Sequence, residues 1–370
     1  MASLYVHIPF CARKCAYCDF TSYAGRERDT ARYLRALTTE MDVARGEFGA
    51  LHFDTMFIGG GTPSLLSGAQ LQRLMDAARA RFTFAPDAEI TIEANPGTIS
   101  REKLESYLAA GVNRISLGVQ AFQNALLRAL GRIHTASQSK EAMGLVRLAG
   151  FTNINFDLMY ALPGQAEADW AQTLERTIEL NPTHLSCYSL IPEPGTPLFN
   201  DAQSGALVVP DEAASAAMQD MTVDMLKSAG YQHYEISNYS KPGFACRHNM
   251  NYWRRGDYLG VGCAAHSLID EVRYENTDSL DEYLSGVTRA ATLPIPPGEA
   301  REEALMLGLR TSEGIDLAAY TRRFGENLMT ARADVIRRLL GNGLARVEAG
   351  RLFLIDRGMF VQNAILLKLL

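Results

Sequence analysis

At 370 residues, 47% of them hydrophobic, the chain can bury a large core and hold one big domain with one or two smaller ones. A net charge of −6 and a pI near 5.7 exclude a general nucleic-acid binder, which needs a basic surface to neutralise phosphates. No apolar run reaches membrane-spanning length and no charged segment followed by an apolar one opens the chain, so a cytosolic protein with reduced thiols is expected.

The first predicted strand covers residues 4–10 and runs straight into Cys11-Ala-Arg-Lys-Cys15-Ala-Tyr-Cys18. Further strands are predicted at 54–58, 89–93, 114–119, 153–158 and 183–190, each short and rich in Ile, Val, Phe or Leu. Between them, residues 33–44, 69–81, 101–110, 140–148, 168–180 and 213–229 carry apolar side chains at helical spacing, several closed by Gly111, Gly150 or Gly230. This α/β alternation implies parallel strands joined by right-handed crossovers, most simply a curved, incomplete (β/α)6 barrel over residues 1–230. In such barrels chemistry gathers where strands end and loops begin.

Polar residues and glycines fall at those ends. The second strand runs into Gly59-Gly60-Gly61-Thr62-Pro63, where glycines let the backbone approach a ligand. The third ends in Glu93-Ala-Asn95-Pro96, the fourth in Gly118-Val-Gln120, the fifth at Asp157. A carboxylate on an apolar strand is costly without a partner, and Glu93 and Asp157 together favour a polar ligand over a lone structural ion pair.

Residues 231–298 read as a connecting region. It contains Cys246-Arg-His248-Asn249-Met-Asn-Tyr252-Trp253-Arg-Arg255, which combines an imidazole, two large aromatics and three arginines, the inventory that haem requires. A loop packing Tyr252 and Trp253 into a domain seam is the plainer account of the same residues. Gly260-Val-Gly262-Cys-Ala-Ala-His266-Ser267 reads as a tight small-residue turn. Beyond a proline-rich break at 293–298, helices at 302–309, 317–324 and 328–340, a hairpin about Ala349-Gly350 and a last helix outline a winged-helix-like α+β domain over 299–370. Its mixed charges do not make it a DNA reader.

Cys11, Cys15 and Cys18 supply three thiolates, one too few for a closed cluster or a structural zinc site, but enough for three irons of a cubane. Zinc completed by His7, or assembled from Cys246, His248, Cys263 and His266, is the alternative; six cysteines in a chain this long are no disulfide framework. The CxxxCxxC spacing resembles the radical S-adenosylmethionine (SAM) superfamily. That resemblance implies a 4Fe-4S cluster on the three cysteines, SAM on its open iron through amino and carboxylate groups, and cleavage of the sulfonium by an electron from the cluster.

The order of motifs is similar to the branch holding oxygen-independent coproporphyrinogen III oxidase, over nearly the whole chain. It implies SAM contacts from Tyr5, Tyr17, Gly60, Gly61, Thr62, Glu93, Gln120, Arg132 and Asp157, with Asp157 suited to ribose hydroxyls and Arg132 to a carboxylate. Two departures stand out. The oxidases place a further cysteine where this chain has Phe20, and they carry a sizeable extension ahead of their cysteines, so enclosure of a porphyrinogen is not expected here. His248-Asn249-x-x-Tyr252-Trp253 matches the HNxxYW motif of the haem chaperone family, which implies haem binding at His248, Asn249, Tyr252 and Trp253, with His248 as axial or attachment residue, and transfer to an acceptor protein. A flavodoxin or ferredoxin is an expected electron donor. Coproporphyrinogen III decarboxylation, or radical chemistry on another substrate, is the enzymatic alternative; no catalytic residue is assigned.

Overall fold

A computed structural model describes residues 2–370. Strand β1 (Ala2–Ile8) shows how the sheet sorts its side chains: Leu4, Val6 and Ile8 are fully buried on one face, while Ser3, Tyr5 and His7 alternate onto the other. Two short strands, β2 (Phe10–Cys11) and β3 (Tyr23–Ala24), pair in parallel and tie off the cysteine loop. The alternation recurs in β4 (His52–Gly60), β5 (Thr83–Ala94), β6 (Arg114–Gln120), β7 (Asn153–Tyr160) and β8 (His184–Ser189). Ile58, Ile92, Leu117, Phe156 and Leu185 join one core, each burial contributing about 1.5–3 kcal/mol. Glu93, Ser116, Asp157 and His184 occupy the alternate positions, so the strands present one aliphatic and one polar face.

From β1 through β4, β5, β6, β7 and β8 every pairing is parallel, in the order expected. Helices Thr30–Phe48, Gly68–Arg81, Arg101–Ala109, Ala136–Ala149, Glu167–Leu180 and Glu212–Ser228 alternate with them. The fourth starts at Ala136 rather than 140 because Thr135 and Gln138 form a reciprocal cap. Strand β7 runs past 158 to Tyr160, which leaves Asp157 within the strand rather than at its end.

The sheet continues at both sides. Strands β9 (Gln232–Glu235) and β10 (Asn238–Ser240) add antiparallel beside β8. Strand β11 (Asp257–Val261) lies parallel to β1, and β12 (His266–Ile269), β13 (Val272–Asn276) and β14 (Arg289–Pro294) follow as antiparallel neighbours. The connecting region therefore supplies six strands to a twelve-stranded mixed sheet whose outermost members are β14 and β9.

The C-terminal part has its own core, including Leu305, Tyr320, Ile336, Leu352 and Leu366. Strands β16 (Ala345–Glu348) and β17 (Arg351–Leu354) form the expected hairpin, with Ala349 and Gly350 both at positive φ. A third strand, β15 (Ile315–Asp316), was not foreseen, being only two residues long. The helix expected over 328–340 breaks at Arg332, whose guanidinium donates to the Leu369 carbonyl. No helix among the described residues is long and apolar enough to cross a membrane.

Candidate functional site

The site begins with backbone. A Cβ on Gly60, at φ +110°, would stand 2.5 Å from the His7 ring, and one on Gly61 would stand 2.7 Å from the Phe10 carbonyl oxygen. Only glycine fits, because the turn after β4 is pressed against the entry to the cysteine loop. Gly61 and Thr62 N–H groups donate to the Ile8 and Phe10 carbonyls at 2.9 and 2.8 Å, and Gly60 N–H donates to Glu93 Oε2 at 3.0 Å.

These contacts define a cavity of about 480 Å³, lined by Cys11, Cys15, Tyr17, Cys18, Gly60, Gly61, Thr62, Glu93, Gln120, Arg132 and Asp157 among others. Of the positions expected around the cluster and SAM, Tyr5 alone is not on this wall. Its hydroxyl meets His7 Nδ1 at 3.0 Å and its ring stacks on Phe57, facing a second cleft. Along β1 it shares the polar face with His7, the face that also carries Glu93, and burial followed by the charge of Glu93 raises its hydroxyl well above the ordinary value.

Burial raises the Glu93 carboxyl to about 8, helped by the charge of Asp157, and burial raises Asp157 as well. Neither carboxylate belongs to an ion pair among the described residues. Asp157 is held by Ser116 Oγ at 2.7 Å and Asn155 Nδ2 at 2.8 Å, partners that no motif announced. Arg132 Nη2 donates to the Gly118 carbonyl at 2.6 Å, and Nη1 lies 3.5 Å from Cys15 Sγ. Gln120 has φ 67°, a left-handed backbone, at a register irregularity between β6 and β7. A strained bulge of this kind aims a side chain that regular pleating would place elsewhere.

Helix Arg247–Trp253 carries the HNxxYW run, and its spacing puts His248 and Tyr252 on one face. His248 is 1% exposed. Its Nδ1 bonds Thr55 Oγ1 at 2.8 Å and its Nε2 bonds the Tyr252 hydroxyl at 2.9 Å. Thr55 donates onward to Ser3, so His248 donates from Nδ1 and accepts at Nε2. Burial pushes this imidazole down to about 3. Both nitrogens are thus engaged, and the ring is packed on Phe57 with no face open to a metal. Tyr252 passes in front of it onto the second cleft. Asn249 is half-buried, and Trp253 turns away under the Arg310 guanidinium, 5.7 Å from its ring centre.

The two regions are joined beneath the polar face of the sheet. His184 Nδ1 donates to Asn155 Oδ1 at 2.6 Å, the Tyr234 hydroxyl to His184 Nε2 at 2.7 Å, and Cys246 N–H to the Tyr234 oxygen at 3.3 Å. With the Asn155–Asp157 bond, this makes an unbroken line from Asp157 to the residue that opens the motif helix.

Residues 5–177 match the radical SAM superfamily and residues 295–361 match the HemN C-terminal domain. The solved structure of coproporphyrinogen III oxidase HemN from Escherichia coli, described as a radical SAM enzyme, aligns with a TM-score of 0.85 and 27% identity, covering 100% of this chain and 89% of that one. A heme chaperone HemW from Escherichia coli is 47% identical over 72% of this chain and 70% of its own length. One from Lactococcus lactis is 35% identical over 100% of this chain and 97% of its own. The chain belongs to the HemW family of radical SAM proteins.

The radical SAM family implies a 4Fe-4S cluster and SAM, and the first cavity of this HemW-family chain fits both. All six cysteines are free thiols, and the three of the motif share one wall. Two partly buried carboxylates outside any ion pair among the described residues, beside those thiols, suit a ligand bearing a sulfonium and an amino group.

Proposed function

We propose that this chain binds haem and passes it to an acceptor protein, with Cys11, Cys15 and Cys18 holding the 4Fe-4S cluster and SAM lodged beside it. The observation that carries the reading is the match to HemW relatives along the whole chain, joined to a motif helix whose Tyr252 opens onto a cleft of about 1120 Å³. Phe20, at the position where the oxidases carry a further cysteine, supports the same side.

When bound, the cluster supplies the electron that reaches the sulfonium. The chain does the rest by holding. Gly60 and Gly61 would bring backbone to the methionyl end of SAM, Glu93 would accept a hydrogen bond from its amino group, Asp157 would accept from ribose hydroxyls, and Tyr17, Thr62 and Gln120 would close the remaining wall. Arg132, already bonded to Gly118, offers positive charge to a carboxylate beside Cys15. His248 fixes the Tyr252 hydroxyl, Asn249 and Trp253 set the pose of the helix, and an acceptor protein takes the haem. A flavodoxin or ferredoxin would reduce the cluster. We place the chain in the cytoplasm, where thiols stay reduced.

The test is an anaerobic titration of haem into cluster-replete protein, beside incubation with reductant, SAM and coproporphyrinogen III. A carrier binds haem at a fixed stoichiometry and yields no protoporphyrinogen. The likeness to HemN favours a second reading, the decarboxylase, which SAM-dependent protoporphyrinogen would establish.

A further inference from the structure

The second cleft is assembled from strands that the motif itself does not contain. Tyr258 of β11, His266 and Leu268 of β12, and Arg273 and Glu275 of β13 all line it. The hairpin register explains why they share a face: His266 stands opposite Glu275, Leu268 opposite Arg273, and Tyr258 opposite Leu268. Tyr252 meets Tyr258 edge to face at 4.8 Å, making an aromatic wall, and Met306 and Leu307 of helix Pro297–Gly308 face it from the C-terminal part.

Of the histidines on this cleft, His7 has both nitrogens engaged, by Tyr5 and by the Thr21 carbonyl at 2.8 Å. His266 differs. Its side chain is 52% exposed, Nδ1 faces Glu275 Oε1 at 3.8 Å, within ion-pair reach but longer than a hydrogen bond, and Nε2 has no hydrogen-bond partner among the described residues. A carboxylate behind one imidazole nitrogen with the other nitrogen open is the arrangement that orients a metal-binding histidine. Two residues along the hairpin, about 7 Å away, stands Arg273. Arg273 and Arg255 share Glu303, and Arg255 and Arg323 share Glu271, so three guanidiniums meet two carboxylates. Arg255 is 4% exposed, and its Nη2 has no hydrogen-bond acceptor. That nitrogen lacks an acceptor even though Glu275, Asp278 and Glu282 also line the cleft, and a ligand carboxylate would supply one.

Resting on the haem-carrying reading, we infer that haem lies in this cleft with iron on Nε2 of His266, a propionate at Arg273 backed by Arg255, and the porphyrin against Tyr252 and Tyr258. The HNxxYW helix then serves as the wall, and His248 positions Tyr252 without touching iron. Asp19 and Phe20 line both cavities, so the porphyrin edge would lie next to the cysteine loop.

The experiment is an anaerobic titration of hemin into the full chain, read by absorption and magnetic circular dichroism, for wild type, His266→Ala, His248→Ala, Arg273→Gln and Ala290→Trp. Ala290 lines the cleft from β14 and is exposed, so tryptophan there fills the space without touching the core. His266→Ala should change the axial-ligand spectrum and weaken binding about tenfold or more, Ala290→Trp should block binding with an unchanged melting temperature, and His248→Ala should keep the wild-type ligand spectrum. Wild-type spectrum and stoichiometry in both His266→Ala and Ala290→Trp, or loss of the axial ligand in His248→Ala alone, overturns the inference while haem carriage stands. A wild-type chain that takes up no hemin overturns haem carriage itself.

Discussion

The two cavities are built on opposite plans. The first draws its walls from the ends of consecutive parallel strands and the loops that follow them, and leaves Glu93 and Asp157 outside any ion pair among the described residues. The second draws on antiparallel hairpins and a C-terminal helix; both of its guanidiniums, Arg255 and Arg273, are paired with carboxylates, and one Arg255 nitrogen is left without an acceptor among the described residues. Carboxylates outside any ion pair in one and a guanidinium nitrogen short of an acceptor in the other distinguish a place for a cationic cofactor from a place where a ligand carboxylate can add a bond. The lesson is that what internal pairing leaves unsatisfied tells more about a ligand than the total charge of a lining.

The contrast breaks most sharply at the cysteines. Cys15→Ala should remove bound iron and sulfide almost entirely and abolish the spectral response to SAM, while hemin binding stays within about twofold of wild type; parallel loss of hemin would mean that the cavities are one site. Glu93 gives the next largest effect. Its carboxyl, raised to about 8, is protonated in the free protein below that pH, so a cationic ligand must expel the proton. Folded chain binds more protons than unfolded chain between the ordinary carboxylate range and about 8, so the free protein loses stability as pH rises across that window. SAM affinity should run the other way, falling about tenfold per pH unit below the shifted value. Equilibrium binding at several pH values checks this, and Glu93→Gln should flatten the slope.

Gly60→Ala sharpens the structural side of the contrast. The added methyl meets the His7 ring at positive φ, so thermal unfolding should reveal a loss of about 1–3 kcal/mol, with SAM binding weakened and the hemin spectrum unmoved. The smallest effect belongs to Phe20, 65% exposed at the junction of the cavities. Phe20→Ala should weaken hemin about threefold by isothermal titration and leave the SAM constant unchanged.

What the sequence revealed follows the same division. The cysteine loop, the glycine turn, Glu93 and Asp157 were legible because each is a local departure from the surrounding pattern. Strand positions were legible from the alternation that buries Leu4, Val6 and Ile8. The supports of Asp157 were not, since Ser116 lies on a neighbouring strand and the pairing decides which residue stands beside which. The left-handed turn at Gln120 carries no glycine to announce it. Tyr5 stands on the same face as Glu93, as the alternation predicts, but its side chain lines the second cleft and not the first. The second cleft was hidden most deeply, because β11 reaches β1 only after some 250 residues of chain and His266 gains its partner through a hairpin register. His248 looked like a ligand by type, and only its neighbours Thr55 and Tyr252 show that both nitrogens are occupied.

The line of bonds under the sheet has a sense of travel. An ionised Asp157 can only accept, which obliges Asn155, His184, Tyr234 and the Cys246 amide each to give a hydrogen in the same direction. No member can turn round alone. Neutralising the carboxylate removes the reason for that common direction at one end of a line whose other end is the amide of Cys246, the residue that caps the helix bearing Tyr252.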